Sequence, residues 1–262
     1  MSKTTNKLMT IALAAAFLFA GSAGAISIAD PWTPGQAGQE LNFYEIWNAL
    51  YGNPSDSSDP INYTSSQAVY DDWGVDILGG EDLFTFIDPG QDGYFGFEAV
   101  YAGNDQAFGW YKPGDTNSLI ELARYDGSNG LLQGNPGGYL ETANAPADPF
   151  GFYSQAGSDL DNPDDTWYSE SSLHGGSRQL AIFRTPGDGW TNNINGNGAR
   201  HYDLLLAWED RRVGTSGSDR DYNDLVVGVS GVQVVPEPAS MTLLGIGLAG
   251  FATRRFISRK KG

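Results

Sequence analysis

The chain has 262 residues, with 15 Lys and Arg against 32 Asp and Glu, a formal net charge of −17, and no cysteine. So acidic a chain argues against nucleic acid and anionic lipid as partners, and the lack of cysteine excludes thiol catalysis and disulfide stabilisation. Thirty-five glycines and thirteen prolines mark many turns, and 13% aromatic residues supply a core, a combination that points to an all-β domain.

Residues 1–25 have the three parts of an export signal. Lys3 and Lys7 form a basic start, Leu8 to Ala20 an apolar centre, and Ala23-Gly-Ala25 a small-residue site for signal peptidase. The alternative, an N-terminal membrane anchor, is disfavoured because the apolar centre falls short of the ~20 residues that span a bilayer. Cleavage after Ala25 gives a mature chain starting at Ile26. Up to Glu237 that chain carries Lys112 and seven arginines against all 32 acids, a net charge of −24.

Residues 26–65 form an N-terminal segment with one short amphipathic helix. Phe43, Ile46, Trp47, Leu50 and Tyr51 make a continuous apolar stripe. Asn42 and Glu45 stand at capping-box spacing, and Gly52-Asn-Pro54 stops the helix. The stripe is read as packing on the β domain, because exposing three aromatics would leave a costly patch.

Residues 66–235 read as a two-sheet antiparallel sandwich, jelly-roll-like. Expected strands cover Leu83 to Asp88, Tyr94 to Tyr101 with Phe95, Phe97, Ala99 and Tyr101 on one face, Ala107 to Tyr111, Leu119 to Tyr125, Phe150 to Ser154 and Leu180 to Arg184. No repeat of 20 to 50 residues suggests a propeller or solenoid. Asp126 to Ser177 reads as loops, where Asp159, Asp161, Asp164 and Asp165 are either solvated acids or a further cation site.

A closing hairpin organises the rest. Tyr202 to Trp208 alternates as a strand, and a β-branched run from near Tyr222 through Val229 follows the turn composition Gly214 to Ser218. Pairing of these strands brings Glu209 and Asp210 toward Asp219, Asp221, Asn223 and Asp224. Like charges so close disfavour joint ionisation. Two remedies remain open: these six oxygen-bearing side chains hold a hard cation such as Ca²⁺, or Arg211, Arg212 and Arg220 pair with the acids while Asp and Asn cap the turn. An EF-hand is unlike this stretch, since Asp224 stands where its glycine belongs and Ser230 where its bidentate glutamate belongs.

Enzymatic chemistry has few candidates. His174 and His201 are the two histidines. They are too few for His- or Cys-built zinc sites, and neither lies near a Gly-x-Ser-x-Gly nucleophile elbow. Glu98, Glu121, Glu170 and Glu209 keep glycoside hydrolysis conceivable, although Glu209 and Asp210 would alternate faces on a strand. Trp167, Tyr168 and Trp190, in loop-like surroundings, either stack on sugar rings or support the core.

Two stretches resemble known families. Glu209-Asp210 with Asp219-Arg-Asp-Tyr-Asn-Asp-Leu-Val-Val227 resembles the domain of unknown function 4114, over about 178–232, which implies a secreted β-rich module and supplies no activity. Residues 235–262 resemble the PEP-CTERM sorting signal: Val235-Pro236-Glu237-Pro238, an apolar run Ala239 to Ala252, then a basic stop at Arg254 and Arg255 followed by Arg259, Lys260 and Lys261. That resemblance implies recognition by an exosortase, a membrane-embedded protease. A helix of about fourteen residues reaches ~21 Å, so it anchors weakly, with the basic tail held on the cytoplasmic side. The expectation is a transient hold at the inner membrane and release by cleavage near Pro236 to Pro238, with a permanent single-pass anchor as the alternative.

The resulting expectation is a non-enzymatic, exported, exosortase-sorted protein of the cell surface or extracellular matrix. Its role is structural or adhesive toward polysaccharide, with the final hairpin either tightened by Ca²⁺ or held by its acid–arginine pairs. A carbohydrate-active hydrolase or a carbohydrate-binding module is the alternative.

Overall fold

The structure, a computed structural model, describes residues 26–32, 34, 40–52, 62–75, 82–102, 105–126, 130–132, 136–160, 165–186, 201–213 and 219–235. Residues 1–25 and 236–262, with the expected signal-peptide and sorting-signal helices, lie outside those residues. In chain order the elements are α1 (Phe43–Leu50), α2 (Ser66–Trp73), β1 (Phe84–Phe86), β2 (Gly93–Val100), β3 (Asp105–Tyr111), β4 (Ile120–Tyr125), β5 (Gly130–Leu131), β6 (Gly137–Leu140), β7 (Gly151–Gly157), β8 (Asp165–Tyr168), β9 (Leu180–Arg184), β10 (Leu204–Trp208), β11 (Leu225–Ser230) and β12 (Val232–Val234).

A larger sheet runs β2-β11-β10-β9, with β5 and β6 both paired to the outer edge of β2, and a smaller one runs β4-β3-β7-β8. All pairings are antiparallel, so the expected antiparallel sandwich is present. Its interior is aromatic. Phe95 and Phe97 on β2 meet Phe108 on β3 at ring-centroid distances of 5.8 and 6.3 Å. Phe108 stacks on Phe152 of β7 at 5.1 Å.

The outer face of the larger sheet is covered too. Ile26, Ile28, both helices, Ala99, Tyr101, Ala181, Phe183, Leu205, Ala207 and Val226 form one buried cluster, and Phe43 of α1 stacks on Phe183 of β9 at 4.2 Å. This double cover explains why β10 and β11 are buried on every residue and, apart from Ser230, carry no polar side chain, the pattern of strands with no wet face. The predicted helix stripe does pack on the β domain. Its capping box forms, with Glu45 Oε2 accepting from the Asn42 backbone at 3.1 Å.

Three readings of the sequence need correction. Residues from 66 onward are assigned to the sandwich by the sequence, yet Ser66–Trp73 is a second helix, capped by Ser65, which accepts from Ala68 N–H at 3.2 Å. Phe95, Phe97, Ala99 and Tyr101 do not share a face, because Phe97 pairs with Val227 and Ala99 with Val226, leaving Glu98 as an extra residue in the register. That bulge inverts the alternation, sending Phe95 and Phe97 between the sheets and Ala99 and Tyr101 under the helices. The glycine-rich middle also contains β5, β6 and β8, short strands whose composition hides them.

A two-stranded pairing of β1 with β12 closes the chain's last described stretch. Phe84 also exchanges backbone hydrogen bonds with Phe150, at 2.8 and 2.9 Å, beside the smaller sheet.

Candidate cation site at the base of the final hairpin

β10 and β11 pair as expected, from Leu204 opposite Val229 to Trp208 opposite Leu225. The strand begins at Leu225 rather than near Tyr222, because Arg220 and Tyr222 both adopt left-handed backbone, with φ of 62° and 53°. Side chains other than glycine seldom hold that conformation, which costs on the order of 1–3 kcal/mol each. The two curled residues lift the acid run out of the ladder. Asp219, Asp221, Asn223 and Asp224 therefore gather at the sheet end next to Glu209 and Asp210.

The acids resolve into two groups. One carboxylate oxygen from each of Glu209, Asp210 and Asp224 lies within 4.8 Å of the others, and the same holds for Glu40, Asp219 and Asp221. Glu209 and Asp210 meet because β10 ends at Trp208; the expected strand alternation does not reach them. Asp210 N–H donates to Asp224 Oδ2 at 2.7 Å. The 210–213 loop is fixed from outside the hairpin: Trp167 Nε1 donates to Asp210 O at 2.8 Å, and Val213 N–H to Gln179 Oε1 at 2.8 Å.

Burial makes the grouping costly. Glu209, Asp221 and Asn223 are fully buried and Asp224 is 8% exposed. Desolvation, then Asp210 and Glu209, hold the Asp224 carboxyl well above its usual range. Desolvation followed by Asp219 pushes Asp221 up to about 7, against the opposing hydrogen bond from Trp32. Desolvation, Asp219 and Asp210 likewise raise Glu40 to about 7, with Arg211 opposing. Asp210 rises through burial and through Asp219 and Asp165, while Arg211 and Asp224 pull it down. Because Asp210 acts on Glu40 and Asp221 acts on Asp224, the two groups share one field.

Polar atoms in this region are left with an unmet need. Asp221 Oδ2 accepts from Trp32 Nε1 at 2.8 Å, and Asn223 Nδ2 donates to Leu41 O at 2.6 Å. Asp221 Oδ1 and Asn223 Oδ1 have no hydrogen-bond partner. A buried acceptor without a donor costs on the order of 1–3 kcal/mol. Bound cations meet that need. Among the described residues the arginines take these places. Arg211 Nε stands 3.9 Å from Asp210 Oδ1 with its side chain 63% exposed, and Arg212 donates to the His174 carbonyl at 3.1 Å. Arg220 is exposed.

Glu40 was not predicted as a member of the site. It lies in a Pro- and Gly-rich stretch far from the hairpin in sequence, so spacing carried no signal for it. Of the predicted sugar-stacking aromatics, Trp167 sits in β8 and is 6% exposed. Tyr168 packs edge-on against Tyr111 at 5.1 Å, and Trp190 lies outside the described residues. Glu98 is the bulge of β2, Glu121 binds Arg124 at 2.8 Å and Glu170 accepts from Gly114 N–H at 2.9 Å. Of the predicted loop acids, Asp161 and Asp164 lie outside the described residues.

The sorting end begins on the sheet. Val234 pairs with Phe84, and Val235 N–H donates to Leu83 O at 2.8 Å. Residues 234–255 match the PEP-CTERM protein-sorting motif. The motif marks the chain as exported and sorted by an exosortase. Pro236, Glu237 and Pro238, the basic stop at Arg254 and Arg255, and the signal cleavage residues Ala23 and Ala25 all lie outside the described residues, as does the apolar run between the proline motif and the stop. Among the described residues no helix is long and apolar enough to cross a membrane.

No curated protein matches the chain. Among solved structures, the C-terminal domain of the BC2L-C lectin from Burkholderia cenocepacia is similar at 16% identity and a TM-score of 0.31, over 57% of this chain and 94% of that one. The likeness to the domain of unknown function 4114 rests on the residues of the hairpin alone.

Proposed function

We propose that the protein is a non-enzymatic, Ca²⁺-tightened structural or adhesive module of the cell surface or its polysaccharide matrix. The apolar run of the sorting signal holds it at the inner membrane, and cleavage near Pro236 to Pro238 releases it. The observation that carries the cation reading is the pair of fully buried side-chain oxygens, Asp221 Oδ1 and Asn223 Oδ1, without hydrogen-bond partners among converging carboxylates. Hard oxygen donors of this kind suit Ca²⁺, which accepts six to eight in flexible geometry. A cation would let the acids ionise without mutual repulsion and lock both strand ends of the hairpin.

Thermal melting of the purified protein tests this. Ca²⁺ at a hundredfold excess over its Kd adds about 2.7 kcal/mol, which for a domain of this size is roughly 5 to 11 °C over the melt in EDTA. Replacing Asp221 and Asp224 together by asparagine removes most of that difference, and equal melting with Ca²⁺ and EDTA in the unaltered protein would retire the reading. For the adhesive role, incubation with bacterial exopolysaccharide should give retention without new reducing ends. Release of reducing ends would favour the hydrolase.

A further inference from the structure

We infer that, of the two acid groups at the final hairpin, Glu40, Asp219 and Asp221 with the Asn223 carboxamide hold a Ca²⁺ of their own, separate from one at Glu209, Asp210 and Asp224, and that this ion clasps the N-terminal segment to the sheet. This deepens the proposed function and rests on its reading of the hairpin as a cation site. Three carboxylate oxygens, one each from Glu40, Asp219 and Asp221, lie within 4.8 Å of one another.

Proximity of acids alone would mean little on so acidic a chain. A second observation points to a ligand: Asp221 is fully buried and its Oδ1 has no hydrogen-bond partner, although its Oδ2 is held by Trp32 Nε1 at 2.8 Å. Asn223 repeats the pattern. Its Nδ2 is fixed on the carbonyl of Leu41, next to Glu40, and its buried Oδ1 has no partner. In each residue one polar atom fixes the side chain on the N-terminal segment and leaves the other oxygen fixed in place.

With Glu40 and Asp219 binding through both oxygens, these side chains offer about six donors, the lower end of what Ca²⁺ accepts. Mg²⁺ suits the site less well, because it demands near-ideal octahedral geometry and gives up water reluctantly. Glu40 is partly exposed, which leaves an entry path.

The placement is prepared by the backbone. Ala29 N–H donates to Arg220 O at 2.8 Å, so residues 29, 32 and 41 contact residues 220, 221 and 223 in the same order. Asn42, fully buried, accepts from Trp32 N–H at 3.1 Å and donates to Trp32 O at 2.9 Å, which fixes the indole beside Asp221 and sets Glu40 just before α1. The left-handed residues Arg220 and Tyr222 alternate with the ligands Asp219, Asp221 and Asn223. An ion here gives that strained geometry a purpose, and makes the hold of residues 26–42 on the sheet depend on Ca²⁺.

Calcium titration calorimetry on the metal-stripped protein, paired with hydrogen exchange at amides 26–42, tests the assignment. The unaltered protein should bind two Ca²⁺ and slow exchange at the described amides of that segment. Glu40→Gln should bind one and lose the added protection, and Asp224→Asn should keep that protection. Asp219→Asn, altering the opposite side of the site, must reproduce the loss seen with Glu40→Gln, which guards against a folding defect in either variant. Unchanged stoichiometry and protection in both Glu40→Gln and Asp219→Asn would overturn the clasp while leaving the hairpin site standing. No calcium binding by the unaltered protein would overturn both.

Discussion

The space between the two sheets and the end of the β10–β11 hairpin adjoin each other, yet they bury opposite kinds of side chain. Trp208 and Leu225 are the last ladder pair and lie in apolar surroundings; Glu209 and Asp224, one residue further on each strand, belong to the acid group. Burial stabilises the first region by removing apolar area from water, about 25 cal/mol per Å². In the second it destabilises, since each charge taken from water must find a partner. One region can stand by itself, and the other is, on our proposal, completed by a cation.

The largest effect should come from the dry region and be indifferent to calcium. Phe108 lies between Phe95, Phe97 and Phe152 with no exposure, so Phe108→Ala should cost about 3–5 kcal/mol, equally in Ca²⁺ and in EDTA by denaturant melts. A calcium-dependent loss would blur the contrast between the regions.

A smaller effect, of opposite character, concerns pH. In EDTA, Asp221 and Glu40 keep folded-state values near 7, above the ordinary carboxylate range. The folded state then binds more protons than the unfolded state between about pH 4 and 7, so stability should fall as pH rises through that window. Saturating Ca²⁺ should reverse the slope, because the ion binds the ionised acids. Melting curves at pH 5 and pH 7, with and without Ca²⁺, check the sign. Glu40 is partly exposed whereas Asp221 is fully buried, and Asp221 should therefore carry the larger share.

Smaller again is the helix cap. Asn42→Ala removes the Trp32 bridge and part of the capping box, which should cost about 1 kcal/mol or somewhat more. It should also weaken calcium binding at the Glu40 side, read by the same calorimetry. Smallest is the surface pair Arg124–Glu121, both partners part-exposed. Glu121→Gln should change stability by less than about 1 kcal/mol and calcium affinity not at all.

The contrast also explains what could be read from sequence. Leu204 to Trp208 and the β-branched run after Asp224 were legible as strands because cover on both faces leaves short, nearly continuous apolar runs; the alternation expected of a strand with one wet face is absent. The gathering of hairpin acids followed from that pairing. Glu40 did not, since no local rule links a residue before α1 to an acid run near the chain's other end; tertiary contacts through Trp32, Leu41 and Asn223 bring them together. The bulge at Glu98 was hidden for a related reason. A single extra residue changes which face a side chain takes without altering composition, so Ala99 and Tyr101 were assigned to the wrong side. α2 carries little signal in sequence, because its apolar positions, Val69 and Tyr70, suit a strand equally well and its end is marked by the single capping serine Ser65.

A crystal structure of the protein grown in millimolar Ca²⁺ would test the central claim most directly. The account expects ion density at about 2.3–2.6 Å from Asp221 Oδ1, with carboxylates of the acid groups completing the shell. An arginine guanidinium or a water in that position, with Ca²⁺ present in the crystal and no ion bound to any of the hairpin acids, would contradict it.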